Sequence, residues 1–179
     1  MKTMLKPIVL ACVLALGACT TAPKSEAGRT EVRTEADSSM AKASANDASL
    51  AKLMDGAKAV AVFPTVGKGA FVVGGAYGKG VLYEHGVMTG YSDITQVSVG
   101  AQAGGQSYTE IIVFRDQAAL DQFKTGKLAF DAQATAVAIK SGAGANAKFN
   151  NGVAVFTMNE AGLMAEASVG GQRFSYLAK

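Results

Sequence analysis

Of the 21 glycines in this 179-residue chain, all but Gly17 and Gly28 lie at or beyond Gly56, interleaved with Val, Ile, Phe and Tyr. Glycine inside a helix costs about 1 kcal/mol relative to alanine. Inside β-structure it marks tight bends and close approach of backbones. The pattern therefore predicts short, tightly turning strands rather than a helical bundle.

The strands are legible piece by piece. Ala59–Phe63 reads as a buried strand stopped by Pro64, and Gly69–Gly75 and Gly78–Tyr83 follow as further strands. Glu84-His85-Gly86 makes a turn, and Val87–Ser92 returns the chain. A break in alternation between Ile94 and Gln102 predicts a bulge. Ser107–Phe114 is a central strand, and Asn151-Gly152 is the strongest hairpin signal in the chain. Val153–Met158, Leu163–Ser168 and Gln172–Leu177 complete the set. Two caps predict helices: Asp47 before Leu50, Leu53 and Met54, and Asp116 before Ala119, Leu120 and Phe123. About eight strands with two or three short helices inserted singly imply an α+β fold. Hairpin-length connections imply a strongly curved, mainly antiparallel, barrel-like sheet.

The N-terminus carries a different signal. Lys2 and Lys6 precede an apolar run, Ile8–Ala18, of 11 residues. A helix needs roughly 20 residues to cross a bilayer, so this length suits a secretory signal and not a span. The run closes on Leu16-Gly17-Ala18-Cys19, the box that lipoprotein processing cuts. Residues 1–18 are then a signal peptide, and Cys19 is the acylated first residue of the mature chain. Thr20 follows where no Asp stands, which favours the outer membrane, with the body facing the periplasm. Cys12 leaves with the signal, so no disulfide remains. Removing 18 residues from 179 leaves 161, and 17 basic residues become 15 against 14 acidic ones. That near-neutral balance excludes a nucleic-acid binder's charge.

Residues 19–45 form an acylated N-terminus and polar tether ahead of a domain at 46–179. Val32, Ala36, Met40 and Ala43 recur at helical spacing, so a thin helix competes with a coil spanning roughly 25–30 Å.

No catalytic set emerges, and no enzyme is expected. The single histidine, His85, sits in a turn, and no Gly-x-Ser-x-Gly elbow occurs. The Gly-Lys pairs at 67–68, 78–79 and 126–127 lack the spacing of a phosphate loop. The acids fall in caps (Asp47, Asp116), turns (Glu84, Asp93, Glu160) or an exposed strand position (Glu110). Neither a metal nor a cofactor is implied. What remains is a basic, glycine-lined surface: Lys58, Lys68 and Lys79, with Lys148 and Arg173.

Val60–Pro64, Gly67–Gly75 and Gly78–Leu82 resemble the opening of the SYLF domain family, and Ile111–Phe114, Phe123 and Gly162–Gly171 resemble its later blocks. The family includes bacterial lipoproteins and eukaryotic actin-regulator and phosphoinositide-binding modules. The Trp-Ser-x-Pro core of eukaryotic members is Gly90-Tyr91-Ser92-Asp93-Ile94 here, so neither actin nor phosphoinositide binding is carried over. The resemblance implies a non-enzymatic lipid- or partner-binding domain with Lys68 and Lys79 as the contact residues. The leading expectation is contact with lipid head groups, phospholipid ones among them, or apolar chains through the glycine-rich first half. The alternative is a structural lipoprotein docking other envelope proteins or the cell wall.

Overall fold

A computed structural model describes residues 21–70, 73–99, 106–130, 135–159 and 166–179. The signal, the cleavage box, Cys19 and the turn around Glu160 lie outside the described residues. The element order is α1 (Glu26–Asn46), α2 (Ala48–Asp55), β1 (Ala59–Ala70), β2 (Val73–Glu84), β3 (Val87–Val99), β4 (Gln106–Phe114), α3 (Gln117–Lys124), β5 (Thr135–Ala138), β6 (Val153–Met158), β7 (Glu166–Ser168) and β8 (Gln172–Ala178). The strands form one sheet in the order β7-β5-β6-β4-β1-β2-β3-β8. Every ladder is antiparallel except β5 with β6.

The sheet curls hard without closing into a barrel, because its order has two ends, β7 and β8. The curl is measurable. Four strand steps separate β4 from β8, about 19 Å on a flat sheet, yet Gln172 Nε2 on β8 donates to Glu110 Oε2 on β4 at 2.9 Å. Phe63 on β1 and Phe174 on β8 bring their ring centres within 6.0 Å across the same hollow.

Both faces of the sheet are buried. The concave face holds Ala61, Phe63, Leu82, Ile94, Ile112, Phe114 and Phe174, closed by Leu120 and Phe123 of α3. Phe174 touches Phe63, Phe123 and Phe130 and centres this interior. The convex face holds Val60, Val62, Val81, Ile111, Val113 and Phe156 under α1 and α2. Burial on both sides explains why Ala59–Phe63 and Ile111–Phe114 read as continuous apolar runs instead of alternating ones. Gly80 marks where the curl tightens: a Cβ there would strike Phe63 and the Val62 carbonyl.

Of the two readings for the stretch before residue 46, the structure takes the helix from Glu26 onward. Ser25 caps α1 by accepting from Gly28 N at 3.1 Å. Val32, Ala36, Ser39 and Ala43 are buried against the sheet, and Tyr83 Oη donates to Asp37 Oδ1 at 2.5 Å. The packed body therefore includes residues ahead of the expected boundary at 46. With 21 residues, α1 is not one of the short helices expected.

Two further expectations are corrected. Pro64 does not stop β1, which runs to Ala70; the ladders to β2 and β4 both shift register around it. A bulge tolerates a residue without an N–H, so the strand passes through. Gly69–Gly75 is not one strand, because β1 ends at Ala70 and β2 begins at Val73. The bulge expected between Ile94 and Gln102 turns on Gly100–Gln102, which lie outside the described residues. Up to Val99 the β2–β3 ladder is continuous from Leu82–Gly90, and its one register shift lies between Leu82 and Tyr83. The predicted turns are present: His85 and Gly86 have φ of 49° and 79°, Asn151 and Gly152 47° and 79°.

Asp47 ties α2 to the 141–146 loop. Its carboxylate accepts from Ser49 Oγ at 2.6 Å, Ser49 N at 3.0 Å, Gly142 N at 3.2 Å and Gly144 N at 2.7 Å. These bonds, Ser49's hydroxyl foremost and Gly144's N–H next, hold it well below the ordinary value of 3.8. A depressed folded-state pKa adds stability above the unfolded value and loses it as pH falls through the folded one. Asp47→Asn should therefore lower the melting temperature near neutral pH, and the gap to the unsubstituted chain should shrink below about pH 4. Thermal melts of both chains across that range check it; a gap that stays constant would contradict the assignment.

Candidate functional site

The bulge at Pro64 opens a groove between the sheet and the C-terminal half of α1. Thr109 Oγ1 donates to the Pro64 carbonyl at 2.8 Å, satisfying a group that the register shift takes out of the ladder. The groove has a volume of about 690 Å³, within the range of small-molecule sites. Glu35, Ser38 and Lys42 of α1 form one wall, Pro64 and Thr65 the floor, and Met158 of β6 the far side. Glu35 and Lys42 stand two turns apart, about 10 Å along the helix axis. Among the described residues the side chains of Glu35, Lys42, Ser38 and Thr65 make no ion pair or hydrogen bond. The lining thus offers one acid, one base and several hydroxyls, at no net charge. It is equipped to hold a polar group and holds no nucleophile paired with a base.

Sequence reasoning missed this groove. Glu35, Ser38 and Lys42 at intervals of three and four read as the solvated face of a helix. Only the bulge beneath them, which opens the space, makes them a wall.

The two lysines singled out from sequence stand on neighbouring strands, β1 and β2. Lys68 stands opposite Ala76 and Gln106, and Lys79 opposite Thr65 and Asp93. Lys79 Nζ sits 3.1 Å from Asp93 Oδ1, 3.5 Å from the Thr21 carbonyl and 5.7 Å from the Tyr77 ring centre. Burial alone would lower its pKa, but the bonds to Tyr77 and Asp93 raise it, and it stays charged. Asp93 is buried, and that desolvation raises its carboxyl against the pull of Lys79. Lys58, Lys148 and Arg173 are exposed.

Glu110, expected on an exposed strand position, is fully buried inside the curl. Alternation on β4 puts it on the concave side with Tyr108 and Ile112, a face that only the curl encloses. Around it lie Gln172, Tyr108 and Gln96, all at most 4% exposed. Gln96 Nε2 donates to the Gly170 carbonyl at 2.8 Å. Burial first, and the charge of Glu110 next, push the Tyr108 phenol well above its usual value, so it remains neutral. These groups join β4, β3 and β8 across the hollow.

Glu84, His85 and Asp93 do not converge. Glu84 bonds Lys124 at 2.7 Å and Thr89 at 2.6 Å, whereas Asp93 pairs with Lys79, five residues back along β2 or roughly 17 Å. His85 is an exposed turn residue. Among the described residues no cluster of three or more His, Cys, Asp or Glu could hold a metal ion.

Comparison with known proteins adds two findings. Residues 95–176, from within β3 through β8, match the family model described as Ysc84, Las17-binding protein actin regulator. Beta cell expansion factor A of Aeromonas veronii is 31% identical over 84 residues, covering 47% of this chain and 32% of that protein. The match thus spans about a third of that relative's length.

Gln172→Ala removes the cross-hollow donor to Glu110 and should destabilise the fold by about 1–3 kcal/mol, the cost of breaking a buried hydrogen bond. Thr95→Ala, on the exposed face of the adjoining strand, should cost under about 0.5 kcal/mol. Urea denaturation of both variants tests the contrast; equal midpoints would show that the contact does not hold the curl.

Proposed function

We propose that this chain, whose residues 95–176 match the Ysc84 family model, is a membrane-anchored, non-enzymatic lipid-binding SYLF-domain protein of the bacterial envelope. The observation that carries the lipid-binding part is the groove beside the bulge. Its volume of about 690 Å³ suits a head group, and its hydroxyls, ammonium and carboxylate are the partners that phosphate and amine groups take. The anchor rests on Leu16–Cys19 and the short apolar run before it. One acyl chain holds a protein only marginally, and two or more hold it stably. Acylation of Cys19 then places the domain at the outer membrane, facing the periplasm. Among the described residues no helix is long and apolar enough to cross a membrane.

A second reading has one observation behind it: the family description names binding to a protein. In that reading the domain docks an envelope protein or the cell wall, and the lipid only locates it.

Vesicle flotation separates the two. Residues 20–179, made without acyl chains, should float with phospholipid vesicles at low salt, and the double variant Glu35→Ala/Lys42→Ala should float less. A chain that stays at the bottom with both zwitterionic and anionic vesicles would remove the lipid-binding reading. A single dominant crosslinked protein in intact cells would then support the second.

A further inference from the structure

The segment just after Cys19 is pinned to the body. Thr21 Oγ1 donates to Ser175 Oγ on β8 at 3.0 Å, and Lys79 Nζ on β2 donates to the Thr21 carbonyl at 3.5 Å. Ala22 is buried on the convex face, and Arg29 Nε donates to the Pro23 carbonyl at 3.1 Å. Cys19 lies two residues before Thr21, and two residues of chain reach at most about 7 Å. An acyl anchor on Cys19 therefore fixes one particular part of the sheet to the bilayer and leaves no long tether.

The register shows which part. Thr65, Lys79, Asp93 and Ser175 form one row across β1, β2, β3 and β8, and Thr21 covers its β8 end. The next row on the same face is Gly67, Tyr77, Thr95 and Arg173, two residues farther along each strand, or about 7 Å. That row is exposed throughout. Tyr77, at 41%, is among the most exposed large apolar side chains, and Arg173 stands two strands away. An aromatic ring with a polar tip in the same row as a guanidinium is the composition that settles at a membrane–water boundary. Thr65, on the floor of the groove, is the β1 member of the first row and the direct partner of Lys79, so groove and anchor point share one side of the body.

We propose that the Tyr77–Thr95–Arg173 row is the face this protein lays on the phospholipid head groups of its own membrane, set there by the pinned Thr21 two residues after the acylated cysteine. The inference rests on the anchored reading above and adds its orientation. The far end of the sheet, at the β2–β3 turn with Val87, then points away from the bilayer. Eight residues of strand separate Thr95 from Val87, roughly 26 Å.

The chain contains no tryptophan, so a single introduced one reports its own surroundings. Tyr77→Trp and, separately, Val87→Trp are made in the full chain, extracted with its acyl chains and reconstituted in phosphatidylcholine vesicles containing brominated lipid. The Tyr77→Trp protein should shift its emission to the blue and lose most of its intensity to bromine, while the Val87→Trp protein keeps its own. Arg173→Trp, in the same row, should follow Tyr77→Trp and stands in for it if that variant does not fold. Equal quenching at both ends, or quenching at Val87 alone, would overturn the orientation. So would a blue shift at Tyr77→Trp without quenching, since a protein would then be covering the row. A mass spectrum showing no acyl chains on Cys19 would instead sink the anchored reading itself, and this inference with it.

Discussion

Everything in this fold depends on a single sheet that has no wet face along most of its length. Its strands carry apolar residues on both sides, so each side must be covered. The concave side is covered by the sheet itself, curled until Phe63 and Phe174 meet, with α3 closing the hollow through Leu120 and Phe123. The convex side is covered by α1 and α2, and the small residues Ala36 and Ala43 let α1 lie close. Removing either cover would expose a face that water does not tolerate.

The functional features follow from how that covering is incomplete. At Pro64 the ladders slip, the sheet and α1 part, and the groove opens between them. At the other end of α1 the chain stays docked, through Thr21 on Ser175 and Lys79, to within two residues of Cys19. The helix thus has two duties along one length. Its apolar stripe seals the convex core, while its polar flank walls the groove. Lys79 belongs to the same arrangement: its ion pair with Asp93 and its bond to the Thr21 carbonyl make it a fastening between strand and N-terminal segment.

Much of the fold was legible because local rules acted alone there. Asp47 and Asp116 cap the helices that their spacing predicts, and His85-Gly86 and Asn151-Gly152 turn with the positive φ that such pairs adopt. The misreadings share one cause, a local rule outweighed by long-range packing. Pro64 ends a strand in isolation but sits inside one where a bulge spares its missing N–H. Glu110 looks like a solvated strand residue, and it is buried because β8 curls over β4 to bring Gln172 against it. The stripe on α1 is too thin to hold a helix by itself, and the sheet beneath supplies the rest.

The sequence by itself determined the class of the molecule: a glycine-punctuated, curved antiparallel sheet with capped helices, and an N-terminal cysteine box expected to carry lipid. Those properties are written in neighbouring residues, because turns, caps and processing sites are read over a few positions. Only the tertiary structure decided that α1 packs, that Glu110 is interior, that Glu35, Ser38 and Lys42 face a groove, and that Thr21 is held to β8. Each of these joins residues dozens of positions apart, and the curl that brings them together is a property of the whole sheet rather than of any one stretch.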